Sequence, residues 1–126
     1  MSTAIPSPAD AIMDRRVYQA GQVVFEEGDS ANSAYIIRSG AVDIVKRTPA
    51  ETIVLVTLKA NQAFGELALI DGSPRSATAI ATEMTELMVI PAAKFQAKMD
   101  ALDPFMRIWV QFLKHRILDL SSRVTE

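Results

Sequence analysis

The feature that most limits how this chain can fold is its punctuation. From Val17 onward, short apolar segments are separated by turn residues. Gln22 to Glu26 closes at Gly28-Asp29, Ala34 to Arg38 closes at Ser39-Gly40, and Ala41 to Arg47 closes around Pro49. Glu51 to Leu58 follows, rich in β-branched residues, and Arg75 to Thr82 and Glu86 to Ile90 come later. Strands at this close and regular spacing predict a small antiparallel sandwich or barrel.

Both ends depart from that rhythm. Residues 1–8 read as a loose tail, with Ser7 placed to cap a short helix that starts at Pro8 and runs through Ala11, Ile12 and Met13. At the other end, Ala92 to Ala101 fits a short helix, and Asp103-Pro104 reads as an N-cap followed by a first helical position. From Phe105 to about Arg123 there is no glycine or proline, so one helix of roughly 30 Å is expected. It carries two apolar stripes. Phe105, Ile108, Trp109 and Phe112 are expected to dock it on the barrel. Met106, Val110, Leu113, Ile117, Leu120 and Val124 alternate at steps of four and three, the spacing of a heptad seam, and suit a second copy of the chain.

Composition removes several kinds of function. A chain of 126 residues is one domain. Thirteen Lys and Arg against fifteen Asp and Glu give a formal charge of −2, a poor balance for a dedicated nucleic-acid-binding face. With no cysteine there is no disulfide, thiolate-held metal or thiol catalysis. The single histidine, His115, leaves no multi-histidine metal site and reads as a polar residue of the long helix, not a haem ligand. The N-terminus lacks a basic start followed by an apolar run, and no apolar stretch approaches the roughly 18–20 residues that span a bilayer. A cytoplasmic protein without a membrane span is expected.

The chemistry gathers in Phe64-Gly65-Glu66-Leu67-Ala68-Leu69-Ile70-Asp71-Gly72-Ser73-Pro74-Arg75-Ser76-Ala77-Thr78-Ala79. Gly65 lets backbone approach a ligand closely. Glu66 to Leu69 can make one helical turn whose free N–H groups form an anion site, with Arg75 adding a charge-assisted bond. Glu66 is an acceptor suited to sugar hydroxyls. An anion donor beside a hydroxyl acceptor complements a ribose phosphate. Taken singly, these residues have plainer readings. Arg75 and Glu66 can be solvated charges or pair with each other, and Ser76 can bond its own backbone. Gly28, Gly40 and Gly72 read as turn glycines.

Taken together, this segment resembles the phosphate-binding cassette of the cyclic nucleotide-binding domain family. The family pattern is Phe-Gly-Glu, an apolar residue, Ala, an apolar residue, a variable stretch, then Pro-Arg, a small residue and Ala; every fixed position is met. Val24-Phe25-Glu26-Glu27-Gly28-Asp29 and Tyr35-Ile36-Ile37-Arg38-Ser39-Gly40-Ala41-Val42 also resemble the family's early strands and turns, so the likeness runs from about Val17 to Val124. The resemblance implies a mainly β fold, a double-stranded β-helix or jelly-roll barrel of eight strands with flanking helices. It implies that Arg75, Ser76 and the main chain of Leu67 and Ala68 hold a cyclic phosphate, and that Glu66 and the backbone of Gly65 take the ribose 2′-hydroxyl. Ser121 and Ser122 roughly match a Thr-Ser pair with which some members contact adenine, the alternative being solvated helix-end serines.

The expected organisation is then a tail and short helix over 1–16, a barrel over 17–103 holding the cassette at 64–79, and a lid or dimerisation helix over 104–126. The expected function is binding of cAMP or cGMP by a regulatory domain that has no catalytic activity, metal or cofactor of its own. A homodimer through the last helix and a downstream effector protein are the expected partners. Direct DNA contact is not expected, because no DNA-reading helix follows the long one. The Met1-Ser2-Thr3 start favours a complete small protein over a fragment. A relative that keeps the fold but binds another ligand, or serves only protein interaction, is the alternative. A metalloenzyme on a similar barrel would need several converging His and carboxylate ligands that this sequence lacks.

Overall fold

A computed structural model describes residues 14–125, the side chains of 118 and 120–125 excepted. The helix expected at the N-terminus lies outside the described residues. The strands are β1 (Asp14–Tyr18), β2 (Val23–Phe25), β3 (Ser33–Ser39), β4 (Ala41–Arg47), β5 (Thr52–Lys59), β6 (Ala63–Phe64), β7 (Thr78–Ala81) and β8 (Thr85–Pro91). The helices are α1 (Glu66–Asp71), α2 (Ala92–Asp100) and α3 (Pro104–Thr125). Two boundaries differ from expectation by more than one residue. β1 starts at Asp14, so 14–16 belong to a strand and not to a tail. The strand after the cassette starts at Thr78, which leaves Arg75, Ser76 and Ala77 in the approach to it.

The strands form two four-stranded antiparallel sheets, ordered β1-β8-β3-β6 and β2-β7-β4-β5. This is the expected jelly roll, realised as a sandwich and not as a sheet closed on itself. Alternation explains it. Tyr35 and Ile37 of β3 register with Val89 and Leu87 of β8, and all four are buried on one face. Val42 of β4 and Ala79 of β7 supply the facing layer. Phe25, Tyr35 and Phe64 join across the sheets, with ring centroids 5.1–6.0 Å apart.

The chain crosses from β3 to β4 at Gly40, where φ is +94° and a Cβ would lie 2.4 Å from Thr85 Oγ1. Thr85 is fully buried; its hydroxyl accepts from the Ala41 N–H at 3.1 Å and donates to Glu83 O at 2.8 Å. Only glycine fits that crossing.

Helix α3 starts at Pro104, and the Asp103 carboxylate accepts from the Met106 N–H at 3.0 Å, the cap read from the sequence. Its docking differs from expectation. Phe105, Ile108, Trp109 and Phe112 are 50–65% exposed, so this stripe does not seat the helix on the barrel. The second stripe is open too, at Met106, Leu113 and Ile117. Among the described apolar side chains of α3 only Val110 is half-buried, and the helix touches α1.

Candidate functional site

The cassette is shaped by one backbone reversal and one buried cation. Gly65 precedes α1 with φ +81°, and no side chain caps the first turn after it. A Cβ on Gly65 would lie 2.9 Å from Arg75 Nη1 and 3.3 Å from Tyr35 Cδ2. The glycine therefore serves both the left-handed turn and the passage of Arg75. At the far end, the main-chain N–H of Arg75 donates to Asp29 O at 2.9 Å, and its carbonyl accepts from Gly28 N at 2.8 Å. The Gly28-Asp29 turn thus anchors the segment that carries Arg75.

Arg75 is only 4% exposed. Its Nη1 donates to Gly65 O at 2.6 Å, its Nη2 donates to Ser33 O, and its guanidinium carbon lies 4.1 Å from the Phe25 ring centroid. Burial lowers its pKa, and Tyr35, Asp29 and Glu66 oppose that shift. Arg75 makes no salt bridge to a carboxylate among the described residues, so the Glu66–Arg75 ion pair that the sequence left open does not form. Instead both side chains keep an unused polar atom. Arg75 Nε and Glu66 Oε2 are buried without a hydrogen-bond partner. Two such orphans in one site call for an explanation, because each costs roughly 1–3 kcal/mol if nothing meets it.

Both orphans belong to residues lining one cavity of about 320 Å³. Gly65, Glu66, Leu67, Ala68, Arg75 and Ser76, the six cassette residues picked from the sequence, all line it. The remaining wall is largely apolar and includes Phe25, Ile44, Val56 and Leu58. Residue type alone does not mark these four as lining a site. Val56 and Leu58 are alternate residues of β5, and Ile44 registers with Val56, so the strand pairing that gathers them is not visible until the register is known. The side chains of Ser121 and Ser122 lie outside the described residues. A larger cavity of about 500 Å³ lies between α1 and α2, but no ionisable side chain lines it. Among the described residues no cluster of three or more His, Asp or Glu is placed to hold a metal, and no helix is long and apolar enough to cross a membrane.

A buried guanidinium with a free N–H, a carboxylate with a free oxygen and an apolar wall are complementary in chemistry to an anionic, hydroxyl-bearing group with an apolar part. A family described as the cyclic nucleotide-binding domain matches residues 15–101, and this chain belongs to it. A cAMP-dependent protein kinase regulatory subunit from Dictyostelium discoideum is 34% identical over 116 residues, covering 86% of this chain and 35% of that protein. The chain thus spans about a third of that relative's length. Among solved structures, the EAL enzyme Bd1971 in its cGMP-bound form superposes with a TM-score of 0.79 at 29% identity, covering 87% of this chain and 30% of the other. The catabolite activator protein of Thermus thermophilus gives 0.74 at 26% identity, covering 96% and 59%. The chain is a cyclic nucleotide-binding regulatory domain of the kind found in these proteins.

Proposed function

We propose that the cavity of about 320 Å³ binds cAMP or cGMP and that the chain reports the bound nucleotide without catalysing a reaction. The observation that carries this reading is the orphan pair. A cyclic phosphate accepts from Arg75 Nε, and a ribose hydroxyl donates to Glu66 Oε2, so one ligand satisfies both buried atoms. The main-chain N–H groups of Leu67 and Ala68 in the uncapped first turn of α1, with the Ser76 hydroxyl, complete the phosphate cradle. The Gly65 backbone helps to hold the ribose. The cavity is small for a whole nucleotide, at the lower end of the roughly 300–1,000 Å³ of ligand sites. Ser121 and Ser122 remain the candidates to contact the base. The cGMP-bound form of the EAL enzyme relative supports the same ligand class.

Transmission follows from how lightly α1 is held. No side chain of this six-residue helix is fully buried, and it touches α3. A ligand that draws α1 onto its phosphate shifts the position of α3, a population shift paid for by contacts made only in the closed state. The β-sandwich with its cassette is then the receiver, and α3 the reporter. The open apolar side chains of α3 support a homodimer through that helix, since burying each is worth roughly 1.5–3 kcal/mol. An effector protein reads the result. The net charge of −2 supports a partner other than DNA, and a chain without cysteine suits the cytoplasm.

Isothermal titration with cAMP, cGMP and cyclic dinucleotides tests the reading. Saturable one-site binding of a cyclic mononucleotide is expected, with a lean toward cAMP. Heat from none of them points to a family member that has kept the fold and changed its ligand.

A further inference from the structure

Another cavity, of about 310 Å³, shares Arg75 and Phe25 with the proposed nucleotide site. Its polar lining is Arg16, Asp29, Ser30, Asn32, Tyr35 and Arg75. Arg16 is unusual for its position. It stands opposite the fully buried Leu87 in the β1–β8 register, which puts it on the core-facing side of an edge strand. Arg15, Arg38, Lys46 and Arg47 each hold a carboxylate, whereas Arg16 has none among the described residues.

The balance around this cavity is cationic. Two guanidinium groups line it against one carboxylate, Asp29, which already accepts the Glu26 N–H at 3.0 Å through Oδ2. The Asn32 carbonyl oxygen accepts from Ser33 Oγ at 3.3 Å, which leaves its amide N–H groups as donors. Burial raises the Tyr35 pKa, with Arg16 and Arg75 pulling the other way, so its hydroxyl remains an O–H donor at neutral pH. Donors and positive charge thus converge on a space bordered by a guanidinium that is 4% exposed.

We propose that this cavity is a second ligand site, for a small oxyanion such as phosphate or a short carboxylate, held between Arg16 and Arg75. The site draws on Arg75, which the nucleotide phosphate also uses if the reading above is right. Two anions sharing one buried cation bind with negative coupling, and the coupling is reciprocal. Oxyanion concentration then sets how much nucleotide is needed to switch the domain.

The probe is inorganic phosphate, exchanged for chloride at constant ionic strength. In nucleotide-free protein, phosphate is expected to shift the backbone amide signals of Ser30 and Asn32 saturably. Arg16→Gln is expected to abolish those shifts, and Arg16→Lys, which keeps the charge, to retain them at lower affinity. In calorimetry, phosphate is expected to weaken cAMP binding several-fold in the wild type and not in Arg16→Gln, which binds cAMP normally in chloride. A phosphate effect of equal size in wild type and Arg16→Gln means competition at the cassette and overturns the proposal. So does a folded Arg16→Lys that behaves like Arg16→Gln, or an absence of saturable shifts. Should cAMP itself not bind, the nucleotide reading fails, while the amide shifts still decide the oxyanion site.

Discussion

Arg75→Ala tests two roles of one side chain at once. The guanidinium ties the turn before α1 to the start of β3 through Gly65 O and Ser33 O, and it stacks on Phe25. Each bond from a charged donor is worth about 1.5–3 kcal/mol, and the stack about 0.5–2 kcal/mol. Against this stands the cost of burying a cation with no carboxylate partner, which the alanine removes. The net loss of stability is therefore about 2–4 kcal/mol, short of the gross sum. At roughly 3–6 °C per kcal/mol for a chain of this size, the melting temperature should fall by about 10 °C. Separately, cAMP affinity should fall by about 2–5 kcal/mol, or roughly 30- to 5,000-fold. Thermal melts followed by far-UV circular dichroism measure the first. Calorimetry at a temperature where both proteins are fully folded measures the second. Arg75→Lys should recover only part of each, because an ammonium cannot bond two carbonyls as a planar fork does. A variant that melts like wild type refutes the bridge. One that binds cAMP within about threefold of wild type refutes the phosphate role.

Three further outcomes are expected. Wild-type protein should bind 2′-deoxy-cAMP about 10- to 100-fold more weakly than cAMP, and Glu66→Ala should erase that difference in paired titrations; a mutant that still discriminates removes Glu66 as the ribose reader. Gly40→Ala should cost about 2–4 kcal/mol in urea unfolding, because its Cβ would meet Thr85 Oγ1 at 2.4 Å and the Met84 carbonyl at 2.5 Å, and an unchanged midpoint would show that the β3–β4 crossing relaxes freely. Leu113→Glu combined with Ile117→Glu should yield monomers in sedimentation velocity, and a wild type that is already monomeric at micromolar concentration, with and without nucleotide, rules out the dimer through α3.

The cassette was legible because its chemistry is local. Gly65, Glu66 and Arg75 lie within eleven positions of one another, so a single stretch of sequence carries three of the residues that line the cavity. The sequence did not reveal that Arg75 ties the turn before α1 to β3 and β2. Its partners Ser33 and Phe25 come from β3 and β2, more than forty residues away, and nothing in residue type announces a bond to a main-chain carbonyl. For the same reason the approach to β7 read as strand from Arg75 onward. The alternation suits a strand, but the N–H and carbonyl of Arg75 are spent on Asp29 and Gly28, and the ladder starts only at Thr78.

The long helix marks the other limit. Its boundaries followed from Asp103, Pro104 and the absence of breakers, all of which act within a turn or two. Its docking did not follow, because an apolar stripe says that a face wants a partner and not which one. Two stripes suggested two partners, with the aromatic one assigned to the barrel. Among the described residues the aromatic stripe is exposed, as are Met106, Leu113 and Ile117 of the other, and α3 touches α1, an element that buries no side chain fully. An amphipathic helix with these side chains exposed lacks much of the apolar burial that usually stabilises a helix. That leaves Phe105, Trp109 and Phe112 as available to a partner as Leu113 and Ile117 are, so a dimer that uses one stripe still presents the other to an effector.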